Sequence, residues 1–194
     1  MKTRRILVVL IVGGQLLLML TLIARQEYRL HTWRPIRLRV KPLDPEALFR
    51  GRYVHLTYDF SRLETTQSDW EKGDTVYVQL TPDKQGLWQL SGFQRQRGQQ
   101  PGSVYLRGRV DYIYPDTERV GEGKDATWRR TGRYHLYVRT EIESYFMSER
   151  PAPQLEQLPR DKYEMTAEVV VANDGHAALK QLYVRGIPAE KFTP

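Results

Sequence analysis

Hydrophobic residues along this chain follow two different patterns. From Ile6 to Ala24, nineteen residues pass without a charge. At the helical rise they span about 28 Å, close to the ~30 Å hydrocarbon thickness of a bilayer. Backbone in lipid must satisfy its own hydrogen bonds, so this run predicts a spanning helix. Beyond it, apolar residues recur mostly at every second position, the period of a half-buried strand. Ile36, Leu38 and Val40 alternate with cationic residues; Val54, Leu56 and Tyr58 alternate with Tyr53, His55, Thr57 and Asp59; Val76, Val78 and Leu80 repeat the pattern. Val104, Leu106, Gly108, Val110 and Tyr112 share one face of a longer strand in which Gly108 marks a bulge or bend.

Turn chemistry divides these runs. Pro82-Asp83 followed by Gly86 reads as a hairpin loop, and Asn173-Asp174-Gly175 between two β-rich runs is the clearest hairpin signal. Asp44 to Arg50 reads as one helical turn stopped by Gly51, and 151–160 as a short helix between prolines. Pro115 to Gly132 lacks apolar periodicity and reads as a mobile excursion. Eight to ten closely spaced strands with one or two helical turns predict a mainly β fold, a sandwich or a partly open barrel. Residues 1–30 are then a transmembrane signal anchor, and 31–194 a single β-rich aqueous domain.

Lys2, Arg4 and Arg5 precede the apolar run, which exceeds the ~7–15 residues of a cleaved signal core and lacks an A-x-A exit. The expectation is an uncleaved, single-pass anchor in the inner (cytoplasmic) membrane. Its N-terminus is placed in the cytoplasm and the main domain outside, although arginines also flank the exit side. The net charge is +7; without the three N-terminal cations, 27 basic against 23 acidic residues leave an excess of four. That spread is too mild for a nucleic-acid footprint. With no cysteine there is neither disulfide nor thiolate chemistry.

Candidate chemistry is sparse. His31, His55, His135 and His176 form no metal-ligand spacing, so no metal and no cofactor is expected. His55 and His135 read as polar-face residues that could meet across a sheet. Ser61, Ser91 and Ser103 lack a nucleophile-elbow context, and Lys72, Lys84 and Lys162 lack an apolar setting that would lower a lysine pKa. Glu141 and Glu143 would stand on one strand face about 7 Å apart, more in keeping with solvated residues beside Arg139 than with a carboxylate pair. Trp33 beside Arg25 and Arg29 reads as an interface anchor. Trp70, Trp88 and Trp128, with nearby arginines, offer either a sugar- or partner-binding face or the ordinary scatter of aromatics in a β domain.

The segment Gly51-Arg52-Tyr53-Val54-His55-Leu56-Thr57-Tyr58 resembles the signature of the GDYXXLXY family, with Gly51, Tyr53, Leu56 and Tyr58 on its fixed positions and Arg52 where the signature has aspartate. The lead-in "PLDPEALFRG" and the later blocks "IESYFMSERPAPQLE" and "AEVVVANDGHAALKQLYVRG" are similar to the family as well. The resemblance implies a membrane-associated protein of uncharacterised function, accompanying or fused to polytopic membrane proteins, with no agreed catalytic residue. The motif positions themselves read as structural. The expected role is a non-catalytic binding or accessory domain, anchored in the lipid bilayer, that partners a polytopic membrane protein. Arg50, Arg52, Trp128, Arg129 and Arg130 form the candidate interaction surface. The competing expectation is a membrane-bound hydrolase acting on an envelope substrate.

Overall fold

A computed structural model describes residues 2–40, 53–121, 127–146 and 164–191. Helix α1 spans Lys2–Thr32. Its segment Val9–Thr32 is long and apolar enough to cross a membrane, and none of it is buried by the rest of the chain. Leu10, Leu17 and Leu20 are all largely exposed. A water-soluble helix of this composition would bury one face, so length and composition suit an anchor or a signal segment.

One residue, Trp33, separates α1 from strand β1 (Arg34–Val40). In β1 the predicted alternation holds: Ile36, Leu38 and Val40 are buried and the arginines between them are exposed. The remaining strands are β2 (Tyr53–His55), β3 (Arg62–Thr65), β4 (Thr75–Pro82), β5 (Trp88–Gln94), β6 (Val104–Val120), β7 (Thr127–Arg139), β8 (Ser144–Phe146), β9 (Met165–Val171), β10 (Ala177–Val184) and β11 (Ile187–Pro188). Short 3-10 turns lie at Asp59–Ser61 and Ala189–Lys191.

The chain is mainly β, and of the expected arrangements it takes the open one. A single sheet runs β11-β10-β9-β1-β5-β4-β6-β7-β3, beside a two-stranded ribbon of β2 and β8. Its seam lies between β1 and β5. They pair in parallel at one position, Leu38 with Trp88, whereas β1 pairs antiparallel with β9 along seven residues. The two leaves on either side of this seam contribute to one core: Leu38, Val169 and Leu182 from one, Val78, Leu106 and Leu136 from the other. A backbone bridge ties the leaves together, the Arg107 amide donating to the Gly175 carbonyl at 2.8 Å, and the Tyr145 hydroxyl of the ribbon meets Glu190 at 3.0 Å.

Both predicted hairpins form. Asp83 accepts the amides of Gln85 and Leu87 through its side chain, and Gly86 takes a positive φ. At the β9–β10 turn Gly175 has φ +92°, with the Tyr105 carbonyl and Arg107 packed where a Cβ would go. All the described residues between Pro115 and Gly132 except Gly121 are strand rather than loop. Strand β6 continues to Val120 and β7 begins at Thr127, so the two form a long antiparallel arm. Thr117 pairs with Arg130, Glu118 with Arg129 and Arg119 with Trp128. Glu141 also departs from expectation. It lies in the turn after β7 rather than in a strand, so it and Glu143 do not share a strand face. The helical turn read over 44–50 and the helix read over 151–160 lie outside the described residues.

Candidate interaction face

The signature residues enter the site first. Gly51, Arg50 and Arg52 lie outside the described residues. Tyr53 opens β2, its backbone paired with Phe146. Leu56 and Tyr58 are buried in the core. The Leu56 amide donates to the Glu143 carbonyl at 2.7 Å, and the Tyr58 hydroxyl donates to the Ile142 carbonyl at 2.8 Å. The Tyr58 ring stacks on Phe60 with centroids 5.0 Å apart. Burial raises the Tyr58 pKa well above that of a free phenol, and the nearby Glu143 charge raises it further. Tyr58 therefore stays protonated and acts as a fixed donor. Both residues hold the 140–143 turn against the core.

Outside that turn, the face formed by β3, β7 and β6 carries two rungs. Arg62, Tyr137 and Tyr112 are cross-strand neighbours in one; Glu64, His135 and Tyr114 are neighbours in the next. The register explains why two tyrosines of β6 face outwards. A bulge between Val110 and Tyr112 makes Asp111 an extra residue. Alternation therefore reverses: Val110 and Ile113 pack towards the core, while Tyr112 and Tyr114 are about half exposed. Tyr112 thus lies on the face opposite to the one its spacing from Val110 predicts, and the irregularity sits beyond Gly108. Gly108 instead serves close packing, since a Cβ there would lie 2.5 Å from Val138 Cγ1.

The rings form a continuous surface. Tyr112 and Tyr114 lie 6.5 Å apart at 28°, and Tyr114 meets Tyr137 edge-on at 5.7 Å. Cations cover part of it: the Arg62 guanidinium sits 5.9 Å from the Tyr137 centroid and Lys72 Nζ 5.1 Å from that of Tyr112. Beside the rings runs a groove of about 860 Å³, bordered by Tyr112 and Tyr137 on one side and by Asp59, Ser61, Arg62 and Glu64 on another.

Further along the arm, Asp116 gathers three donors. The Thr131 hydroxyl lies at 2.7 Å, Arg133 at 3.3 Å and His135 Nε2 at 3.3 Å. Opposite Asp116, β7 carries an irregularity around Gly132, whose φ is +81°. The Thr131 hydrogen bond holds the Asp116 carboxyl below its ordinary pKa, aided by His135 and Arg133 against a smaller opposing effect of burial. His135 is buried, and its Nδ1 lacks a hydrogen-bond partner, with Glu64 3.8 Å away. Towards the tip, Trp128 is 72% exposed, Arg129 pairs with Glu118, and Arg130 is exposed.

The other sequence candidates disperse. His135 is in β7 of the large sheet and His55 in the separate β2–β8 ribbon. His176 bridges Glu141 at 2.7 Å and Arg107 at 3.1 Å, a clasp between the β9–β10 turn, the β7–β8 turn and β6. Ser61 caps the Tyr58 amide, Ser91 donates to the Gln79 carbonyl and Ser103 accepts from the Gln79 side chain. Trp70 is buried, tilted against Phe93 and covered by Arg95, while Arg34 covers Trp88. The tryptophans therefore do not converge. No group of three His, Asp or Glu side chains among the described residues could hold a metal ion. The tyrosine face escaped the sequence reading because the Asp111 bulge is invisible in the apolar spacing.

An apolar helix leading into a mainly β domain, with a buried Leu-x-Tyr anchoring the core, makes the chain a helix-led β protein. It belongs to the GDYXXLXY protein family, whose family model matches residues 15–182. No curated protein and no solved structure matches the chain.

Proposed function

We propose that this protein is a membrane-anchored accessory domain that binds another membrane protein and performs no chemistry of its own. The supporting observation is the junction at Trp33. A helix whose apolar side chains from Val9 to Ile23 are all exposed runs into a core strand with one residue between them. So short a connection holds the β domain at the membrane surface, with Trp33 and Arg29, whose guanidinium lies 5.1 Å from the indole, at the interface. Tethering keeps the effective concentration of a membrane-bound target high, so weak contacts suffice. In this reading α1 is retained, the N-terminus is cytoplasmic and the domain lies outside. The target is a polytopic membrane protein, met by Trp128 and Arg130 on the protruding arm.

Because the chain has no cysteine, single cysteines at Thr3 and Gln85 report topology cleanly. A membrane-impermeant maleimide should label Gln85→Cys but not Thr3→Cys in intact cells. A photocrosslinker at Trp128 should then capture a multi-spanning protein from native membranes. Release of the domain from washed membranes, or failure to crosslink any such protein, refutes the reading.

A further inference from the structure

We propose that the groove beside Tyr112 and Tyr137 is a binding site for an uncharged oligosaccharide. This chain buries Tyr58, Tyr105 and Tyr145, yet a bulge in β6 turns Tyr112 and Tyr114 outwards next to the half-exposed Tyr137. Three adjacent aromatic rings, partly exposed and only partly covered by Arg62 and Lys72, point to a ligand. Bulges that re-aim side chains concentrate beside functional sites.

The Tyr112 and Tyr114 ring planes lie within 28° of parallel with centroids 6.5 Å apart, so that aromatic surface suited to the C–H faces of sugar rings recurs along the strand. The groove's volume of about 860 Å³ falls within the range of small-ligand sites. Its polar lining supplies carboxylates from Asp59, Glu64, Asp111 and Glu143 and guanidinium groups from Arg62 and Arg139. These are planar groups able to make paired hydrogen bonds to vicinal hydroxyls. Asp111 and Arg139 already lie 3.5 Å apart, which fixes the geometry of both.

Among the described residues, four acidic against two basic side chains in the lining disfavour phosphate polymers and acidic sugars. The one aliphatic side chain among those described lining residues is Val138, which offers little to a peptide anchored by leucine or isoleucine. A neutral polyhydroxyl chain needs neither.

The test uses the full chain in a detergent without a sugar headgroup. Chitohexaose, cellohexaose and a proline decapeptide are titrated by calorimetry against the wild type, Tyr112→Ala/Tyr114→Ala and Tyr112→Phe/Tyr114→Phe. Saturable binding of either hexamer is expected, weakened about tenfold or more in the alanine pair by loss of two stacking faces. The phenylalanine pair should retain it, which also controls for folding. Three results overturn the proposal: no binding of either hexamer, binding indifferent to the alanine pair, or binding of the proline peptide alone at these tyrosines. Partner capture through Trp128 reads a different surface, so either idea can fail without the other.

Discussion

The Tyr58 hydroxyl donates to the carbonyl of Ile142 across 84 residues of sequence, in a site where both side chains are buried. This bond pins the turn after β7 to the end of the signature. Tyr58→Phe keeps the ring stacked on Phe60 but leaves a buried carbonyl short of a donor. The expected cost is about 1–3 kcal/mol, visible as a lower midpoint in denaturant. Tyr58→Ala also opens a cavity and should cost about 3–5 kcal/mol. Equal stability of the phenylalanine variant and wild type would remove the hydrogen bond from the account.

Gly108 faces Val138 so closely that a methyl group must displace it, and the Arg139 carbonyl lies 3.2 Å from the same point. Gly108→Ala should destabilise by about 1–3 kcal/mol through overpacking. Val138→Ala in the same chain should recover part of the loss, because it vacates the space the methyl needs. Additive losses in the double variant would contradict a steric origin.

Asp116 has a folded pKa below its ordinary value, chiefly through the Thr131 hydroxyl. A depressed carboxyl contributes stability above its unfolded pKa, ~3.9, and loses it as pH falls through the lower folded value. Glu168, held down first by Lys180, behaves alike. Asp116→Asn should therefore flatten the decline in thermal midpoint below about pH 4. At the alkaline end, burial and then Glu190 push Tyr145 up to about 12. A raised pKa stabilises below the unfolded value near ~10, and that contribution disappears as pH climbs towards the folded one. Tyr145→Phe should lessen the alkaline decline, measured by melting between those limits.

Trp128 and Arg130 lie on an arm that the core does not cover. Trp128→Ser with Arg130→Glu should leave stability within about 0.5 kcal/mol of wild type. Recovery of the membrane protein proposed as its partner should fall sharply. Unchanged recovery would move the contact elsewhere.

Sequence reading was good where one face of an element is buried and the other wet. Ile36, Leu38 and Val40 declare β1 by alternation, and Asn173-Asp174-Gly175 declares its turn by a demand for positive φ that glycine meets at +92°. It failed on the arm for the same physical reason. Both faces of residues 117–120 and 127–130 meet solvent, so no apolar period exists to mark a strand. What holds them is pairing between strands, as in Glu118 with Arg129, which a linear pattern does not display. Tyr112 lies on the face opposite to the one its spacing predicts because Asp111 adds one residue to β6, and a single inserted residue inverts every later position.

The one-residue joint at Trp33 has a mechanical consequence. Any pull or tilt of α1 is delivered straight to β1, which is held zipper-fashion by β9 but meets β5 at a single rung. The sheet's single-rung seam therefore lies beside the helix. If α1 is the anchor proposed above, a load on it reaches that seam first, and the shared core and the Arg107–Gly175 bridge are what resist its opening.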